Sequence, residues 1–191
     1  MKFTIMAGLS FCLASTSLFG QKVTVQSPNH KITVALFSTQ TGDADEWYLK
    51  ASYSDNGKTS EAIPHIDLGL SRSDQDFSKE LKFVSAGKPL MINEKYTALH
   101  GKKSDCSNSA NEVTVSFENP SKAKLNIIIR AYNDGLAFRY QFPDKQGTFV
   151  VKDELTAYTI ANETTRWMEK WNAANEGLYT AMSNDKIQKQ E

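Results

Sequence analysis

Between Leu125 and Phe142, apolar residues fall at every second position on both sides of Asn133-Asp134-Gly135. Leu125, Ile127, Ile129 and Ala131 share one face of a first strand. Leu136, Phe138, Tyr140 and Phe142 share one face of a second. A repeat of two is the period of a strand, because successive side chains point to opposite sides of a sheet. Asp-Gly supplies the positive φ angles that tight hairpin turns need, so the segment is predicted to be a β-hairpin. Arg130 and Arg139 point away from the two apolar rows. A place on a polar face or across a sheet edge is preferred for them over substrate contact.

The rest of the chain carries similar punctuation. Lys22–Gln26 and Lys31–Phe37 alternate, with Ser27-Pro28-Asn29-His30 as a turn between them. Trp47–Tyr53 is a strand candidate that ends at the turn signal Asp55-Asn56-Gly57. His65–Leu70, Leu81–Ser85, Lys95–Leu99, Val113–Phe117 and Leu125–Tyr132 continue the series. Ser71–Lys82 is the most polar interior stretch and is predicted to be a surface excursion. Helical periodicity is weak until the end, and no repeat or low-complexity tract interrupts the pattern. The fold class is all-β, a sandwich.

The 191 residues are 40% hydrophobic, enough for one domain with a real core. Lys plus Arg is 22 and Asp plus Glu is 22. With no net charge there is no global field to gather nucleic acid or an anionic membrane, so neither is an expected partner.

The first twenty residues read differently. Met1-Lys2 is a short basic start, and an apolar run extends from Phe3 to about Leu13. Small residues Ala14, Ser15 and Ser17 lead to a cleavage point at Gly20-Gln21. This is the layout of a secretory signal peptide over residues 1–20, with the domain over residues 21–191. The run is too short and too interrupted for a membrane span. Phe11 before Cys12 disfavours a lipoprotein anchor. Export to the periplasm or beyond the cell follows from the signal alone. Cleavage leaves Cys106 as the single cysteine, so no internal disulfide forms. Its polar, turn-like setting favours a tolerated thiol over a nucleophile.

Few residues announce chemistry. His30, His65 and His100 are dispersed and none has zinc-ligand spacing. Asp43, Asp45 and Glu46 form an acidic run without the calcium-loop pattern, so a solvated loop is preferred. Asn162-Glu163-Thr164 is a glycosylation sequon. Trp47, Tyr48, Trp167 and Trp171 are the aromatics on which a sugar would stack, though packing is the commoner role of Trp.

One stretch is more specific. Arg130-Ala131-Tyr132-Asn133-Asp134-Gly135-Leu136-Ala137-Phe138-Arg139-Tyr140-Gln141-Phe142-Pro143 resembles the signature of the N-terminal domain of glycoside hydrolase family 97. Ser27-Pro28-Asn29-His30-Lys31-Ile32 resembles the family's opening strand, and Leu68-Gly69-Leu70 a short later one. Gly101-Lys102-Lys103, Cys106 and Asn111-Glu112 are similar to the stretch before the long hairpin. The pieces follow the family's order, from about Lys22 to Ile187.

The resemblance implies a β-super-sandwich of the galactose mutarotase-like kind. In the family it precedes a (β/α)8 barrel that carries most of the catalytic machinery of calcium-dependent exo-α-glucosidases and α-galactosidases. It also implies that the domain packs on the barrel and lends one glutamate to calcium. That glutamate follows a tryptophan by nine residues, within a Glu-aromatic-X-Tyr-Thr run. Here Trp167 is followed by Glu176-Gly177-Leu178-Tyr179-Thr180, so Glu176 is the implied metal ligand. Glu169 and Lys170 stand where the family has Pro and Gly.

Glycoside hydrolysis needs two carboxylates flanking the scissile bond, and in the family the barrel supplies them. The chain is therefore expected to be the front part of a larger enzyme, its sandwich incomplete at the C-terminus. No catalytic residue is assigned within it, and its substrate-binding residues stay unassigned. Calcium is expected only together with the barrel, and the expected partners are that barrel and an α-linked oligosaccharide. A stand-alone carbohydrate-binding sandwich and a mutarotase-like protein are the other readings at this point.

Overall fold

The computed structural model describes residues 20–41, 44–144, 147–162, 164–169, 172–174 and 176–182. Residues 1–19 of the expected signal peptide, Asp43 and Trp171 lie outside them, and so do the side chain of Asp45 and the central residue of the sequon.

Two five-stranded antiparallel sheets face each other. The first has the order β1-β2-β3-β4-β12, from β1 (Gly20–Gln26), β2 (Ile32–Thr41), β3 (Ala44–Asp55), β4 (Lys58–Asp67) and β12 (Tyr158–Thr159). The second runs β10-β9-β8-β6, from β6 (Lys82–Ala86), β8 (Asp105–Glu118), β9 (Lys124–Tyr132) and β10 (Leu136–Gln141), with β7 (Leu90–Thr97) also on β8. Two short pairs complete the described residues. They are β5 (Leu70–Arg72) with β11 (Val151–Glu154), and β13 (Arg166–Met168) with β14 (Thr180–Met182). No helix occurs among the described residues, so the expected all-β sandwich is the fold observed.

The alternation read in the sequence becomes the core. Val25, Val34, Leu36, Leu49 and Ile66 face inward from the first sheet. Val113, Val115, Phe117, Leu125, Ile127 and Ile129 meet them from the second. Each is at most 1% exposed. Burying such side chains stabilises by roughly 1.5–3 kcal/mol each. Leu136, Phe138, Tyr140 and Phe142 pack on this core from the sheet edge.

The predicted hairpin forms, with Leu136 opposite Ala131 and Gln141 opposite Asn126. Its turn differs from expectation. Left-handed φ angles occur at Asn56 and Gly57, but not at Asn133, Asp134 or Gly135. Asn133 instead uses its side chain. Its Oδ1 accepts a hydrogen bond from the Asn29 main-chain N–H at 2.9 Å. The turn after β1 is itself tied, because Ile32 N–H donates to the buried Ser27 Oγ at 2.9 Å and Lys31 N–H to Asn29 Oδ1 at 3.0 Å. The Asn56-Gly57 turn does use positive φ and joins β3 to β4 in the tight geometry such residues favour.

Three other expectations shift. The Lys95–Leu99 strand is realised earlier, as β7, because the polar first half of β8 pairs Leu90 with Glu112 and Thr97 with Asp105. The His65–Leu70 run divides between the end of β4 and the start of β5. Ser71–Lys82 is no simple surface excursion. Phe77 is fully buried, Leu81 is 5% exposed and Arg72 is 6% exposed. The Arg72 guanidinium lies 3.8 Å from the Phe149 ring centre and 4.4 Å from that of Phe142. Asp74 holds its Nε at 2.9 Å and its Nη2 at 2.6 Å. A polar stretch is thus pinned by one aromatic anchor and one stacked cation.

Candidate functional site

The loop that carries Glu176 hangs from the smallest sheet. β13 and β14 pair Arg166 with Met182 and Met168 with Thr180. Thr180 Oγ1 donates to the Met168 carbonyl at 3.4 Å and helps to close the loop's neck. Within the loop, Gly177 N–H donates to Glu169 Oε2 at 2.7 Å, and Glu176 N–H donates to Asn172 Oδ1 at 3.3 Å. A carbon added at Gly177 would stand 2.4 Å from Glu169 Oε2, so this close approach requires a glycine.

Glu176 is exposed, and no hydrogen bond or ion pair from the described residues engages its carboxylate. A hard carboxylate oxygen suits calcium, which takes six to eight oxygen ligands. Among the described residues no three His, Cys, Asp or Glu side chains converge. Glu176 therefore fits calcium as one contributing ligand, and the remaining oxygens have to come from elsewhere.

Trp167, on β13, is 67% exposed, and Tyr179 beside the same loop is 60% exposed. Trp47 and Tyr48 offer no such surface. Trp47 is 6% exposed and packs edge-on against Phe117 at 5.0 Å. Tyr48 is stacked between Phe37 at 5.6 Å and His65 at 4.1 Å.

The arginines of the hairpin separate. Arg130 sits on the outer face of the second sheet, where its Nε donates to Glu112 Oε2 at 2.5 Å. Its Nη1 donates to Glu94 Oε1 at 2.8 Å and to the Tyr132 hydroxyl at 3.2 Å. The Tyr132 bond, followed by the Glu112 and Glu94 carboxylates, holds the guanidinium protonated well above its ordinary range. Three strands are cross-linked in this way, which is the structural role preferred for Arg130. Arg139 is exposed.

His65 Nε2 lies 2.8 Å from Asp67 Oδ1, and the rings of Tyr48 and His65 stack below. Asp67 also lines a pocket of about 270 Å³ with Glu46, Ser78 and Lys79. Cys106 is a free thiol on β8, directly across from Tyr96 on β7. A wider groove of about 440 Å³ runs beside β10, lined by Leu136, Phe138, Tyr140, Glu154, Thr156 and Tyr158. Among the described residues no helix is long and apolar enough to cross a membrane.

Two facing antiparallel sheets, with their polar groups displayed on outer faces and loops, define a β-sandwich domain. The chain belongs to the Glycosyl-hydrolase 97 N-terminal family, whose model matches residues 25–191. A probable retaining alpha-galactosidase from Streptomyces bingchenggensis (strain BCW-1) is 26% identical over 137 residues, which are 72% of this chain and 21% of that protein. The crystal structure of a beta-arabinopyranosidase is similar with a TM-score of 0.66 at 28% identity, covering 84% of this chain and 26% of that one. A glycoside hydrolase family 97 enzyme from Pseudoalteromonas sp. strain K8, in complex with acarbose, gives a TM-score of 0.63 at 25% identity, over 85% of this chain and 25% of that one. The chain thus spans about a fifth to a quarter of the length of these relatives.

Two of the sequence pieces that carry the resemblance meet in space. Asn29 lies in the Ser27–Ile32 piece and Asn133 in the hairpin piece, and the hydrogen bond between them joins the two. The ties of Glu176 and Gly177 were not visible in the sequence. They depend on Glu169 and Asn172 meeting the main chain eight and four residues later, for which neither period nor turn signature exists.

Proposed function

We propose that this chain is the N-terminal β-sandwich portion of an exported, calcium-dependent glycoside hydrolase acting on α-glucosides or α-galactosides. It supports a catalytic (β/α)8 barrel of the same parent protein, and the sandwich by itself is inactive. Glu176 reaches from the β13–β14 loop to a calcium ion whose other ligands the barrel provides. The ion would supply positive charge beside the site where an α-linked oligosaccharide binds. The basic start and apolar run of residues 1–20 support export to the periplasm or the cell exterior.

One observation carries the reading. The family match extends across residues 25–191, and relatives matched on this same sandwich are described as glycosidases of several times its length. The carboxylate of Glu176, which none of the described residues engages, beside two main-chain N–H groups that are held, agrees with a ligand offered to a neighbour.

The test is hydrolysis of p-nitrophenyl α-glucoside and α-galactoside by the product of the full reading frame. Activity lost on calcium chelation and restored by calcium is expected. Activity indifferent to chelation contradicts the calcium role, and the absence of any α-glycosidase activity contradicts the assignment.

A second reading rests on Trp167, whose exposure suits stacking on a sugar ring. Under it the sandwich binds carbohydrate unaided. Titration of the chain with maltooligosaccharides decides, since a Trp167-dependent signal favours that reading.

A further inference from the structure

The two hydrogen bonds inside the β13–β14 loop have a particular placement. One fixes the N–H of Glu176 and the other fixes the N–H of Gly177. These amides belong to the two peptide planes on either side of the Glu176 α-carbon. Peptide planes are rigid, so holding both amides restrains φ and ψ at that residue and with them the direction in which its Cα–Cβ bond leaves the main chain. The acceptors, Glu169 Oε2 and Asn172 Oδ1, both come from the ascending half of the loop. The bond to Glu169 is charge-assisted and short at 2.7 Å, the stronger kind.

We propose that Glu169 is a positioning residue, whose carboxylate clamps Gly177 and so aims Glu176 outward at the cation it helps to hold. This rests on the calcium reading given above and adds to it the residue that orients the ligand. Groups that orient metal ligands commonly govern affinity by about ten- to a hundredfold without touching the metal. Gly177 is the matching half of the device. With any side chain there, an atom would come within 2.4 Å of the Glu169 oxygen. That oxygen ends a flexible side chain, so a methyl group at 177 displaces Glu169 and opens the clamp without unfolding the sandwich.

Amide hydrogen exchange at Gly177, measured by NMR on the 191-residue chain, reads the clamp directly. Glu169→Ala and Gly177→Ala are expected to speed exchange at residue 177 by about tenfold, as loss of a bond to a charged acceptor implies. Glu169→Gln keeps an acceptor oxygen and is expected to retain most of the protection. The melting midpoint is expected to stay unchanged in all three, because the loop is exposed. Calcium titration of the full reading-frame product is the second arm. Glu169→Ala is expected to weaken affinity about tenfold, and Glu176→Gln at least as much. Unchanged exchange at Gly177 in Glu169→Ala overturns the clamp. Unchanged calcium affinity in Glu176→Gln overturns the calcium reading beneath it, whatever the exchange shows.

Discussion

The indole Nε1–H of Trp47 donates to the main-chain carbonyl of Leu81 at 2.7 Å. The bond joins β3 of the first sheet to the residue just before β6 of the second. The ring also stacks on Phe83 at 5.8 Å. Trp47→Phe keeps most of the packing and leaves the carbonyl unpaired, at about 1–3 kcal/mol. Trp47→Ala also opens a cavity, at about 3–5 kcal/mol. Urea denaturation of the two variants checks this order, and sugar binding is expected to be the same in both.

Phe77 holds the segment between β5 and β6 to the core. It is fully buried, and its ring lies 5.5 Å from that of Phe142. Phe77→Ala is expected to cost about 3–5 kcal/mol in denaturant melts. Limited proteolysis should then cut first within residues 71–82.

Arg130 joins β7, β8 and β9 through Glu94, Glu112 and Tyr132. Arg130→Ala leaves Glu112, with 20% of its side chain exposed, without its cation. A loss of about 1.5–3 kcal/mol is expected, the range for hydrogen bonds to charged groups. Arg130→Lys is expected to recover only part, since an ammonium cannot reproduce the guanidinium fork. Thermal melts at low and high salt separate the two variants.

Tyr140 gives the pH dependence its sign. Burial is the main cause that pushes its phenol above the ordinary value, against the hydrogen bonds to Thr156 and the Gly69 N–H. A raised folded value means the unfolded chain gives up this proton first as pH increases. The contribution is therefore complete below about pH 10 and is lost as pH rises beyond it. Tyr140→Phe is expected to flatten this alkaline decline while lowering stability at neutral pH. Denaturation between pH 8 and pH 11 measures both effects.

What could be read in advance follows from how local each signal is. Alternation placed β9 and β10 because the row from Leu125 to Ala131 and the row from Leu136 to Phe142 each bury one face. The turn between them was legible as a turn but not in its geometry. The Asn133 side chain takes its hydrogen bond from Asn29, more than a hundred residues away, and local propensity carries no trace of that. Phe77 was invisible as an anchor because a lone aromatic among polar residues has no period. The first half of β8 was missed because Asp105 to Asn111 is polar apart from Cys106 and Ala110 and shows no alternation, and its strand character comes from pairing with β7. At the loop, resemblance singled out Glu176. The carboxylate of Glu169 facing Gly177 required coordinates.

The most direct measurement is to sequence the source DNA through and beyond the codon for Glu191. A frame that continues for several hundred residues into alternating βα segments, with paired carboxylates at strand ends, is the predicted result. A stop codon immediately after Glu191 would contradict the assignment to a barrel-bearing glycosidase and leave the carbohydrate-binding reading in its place.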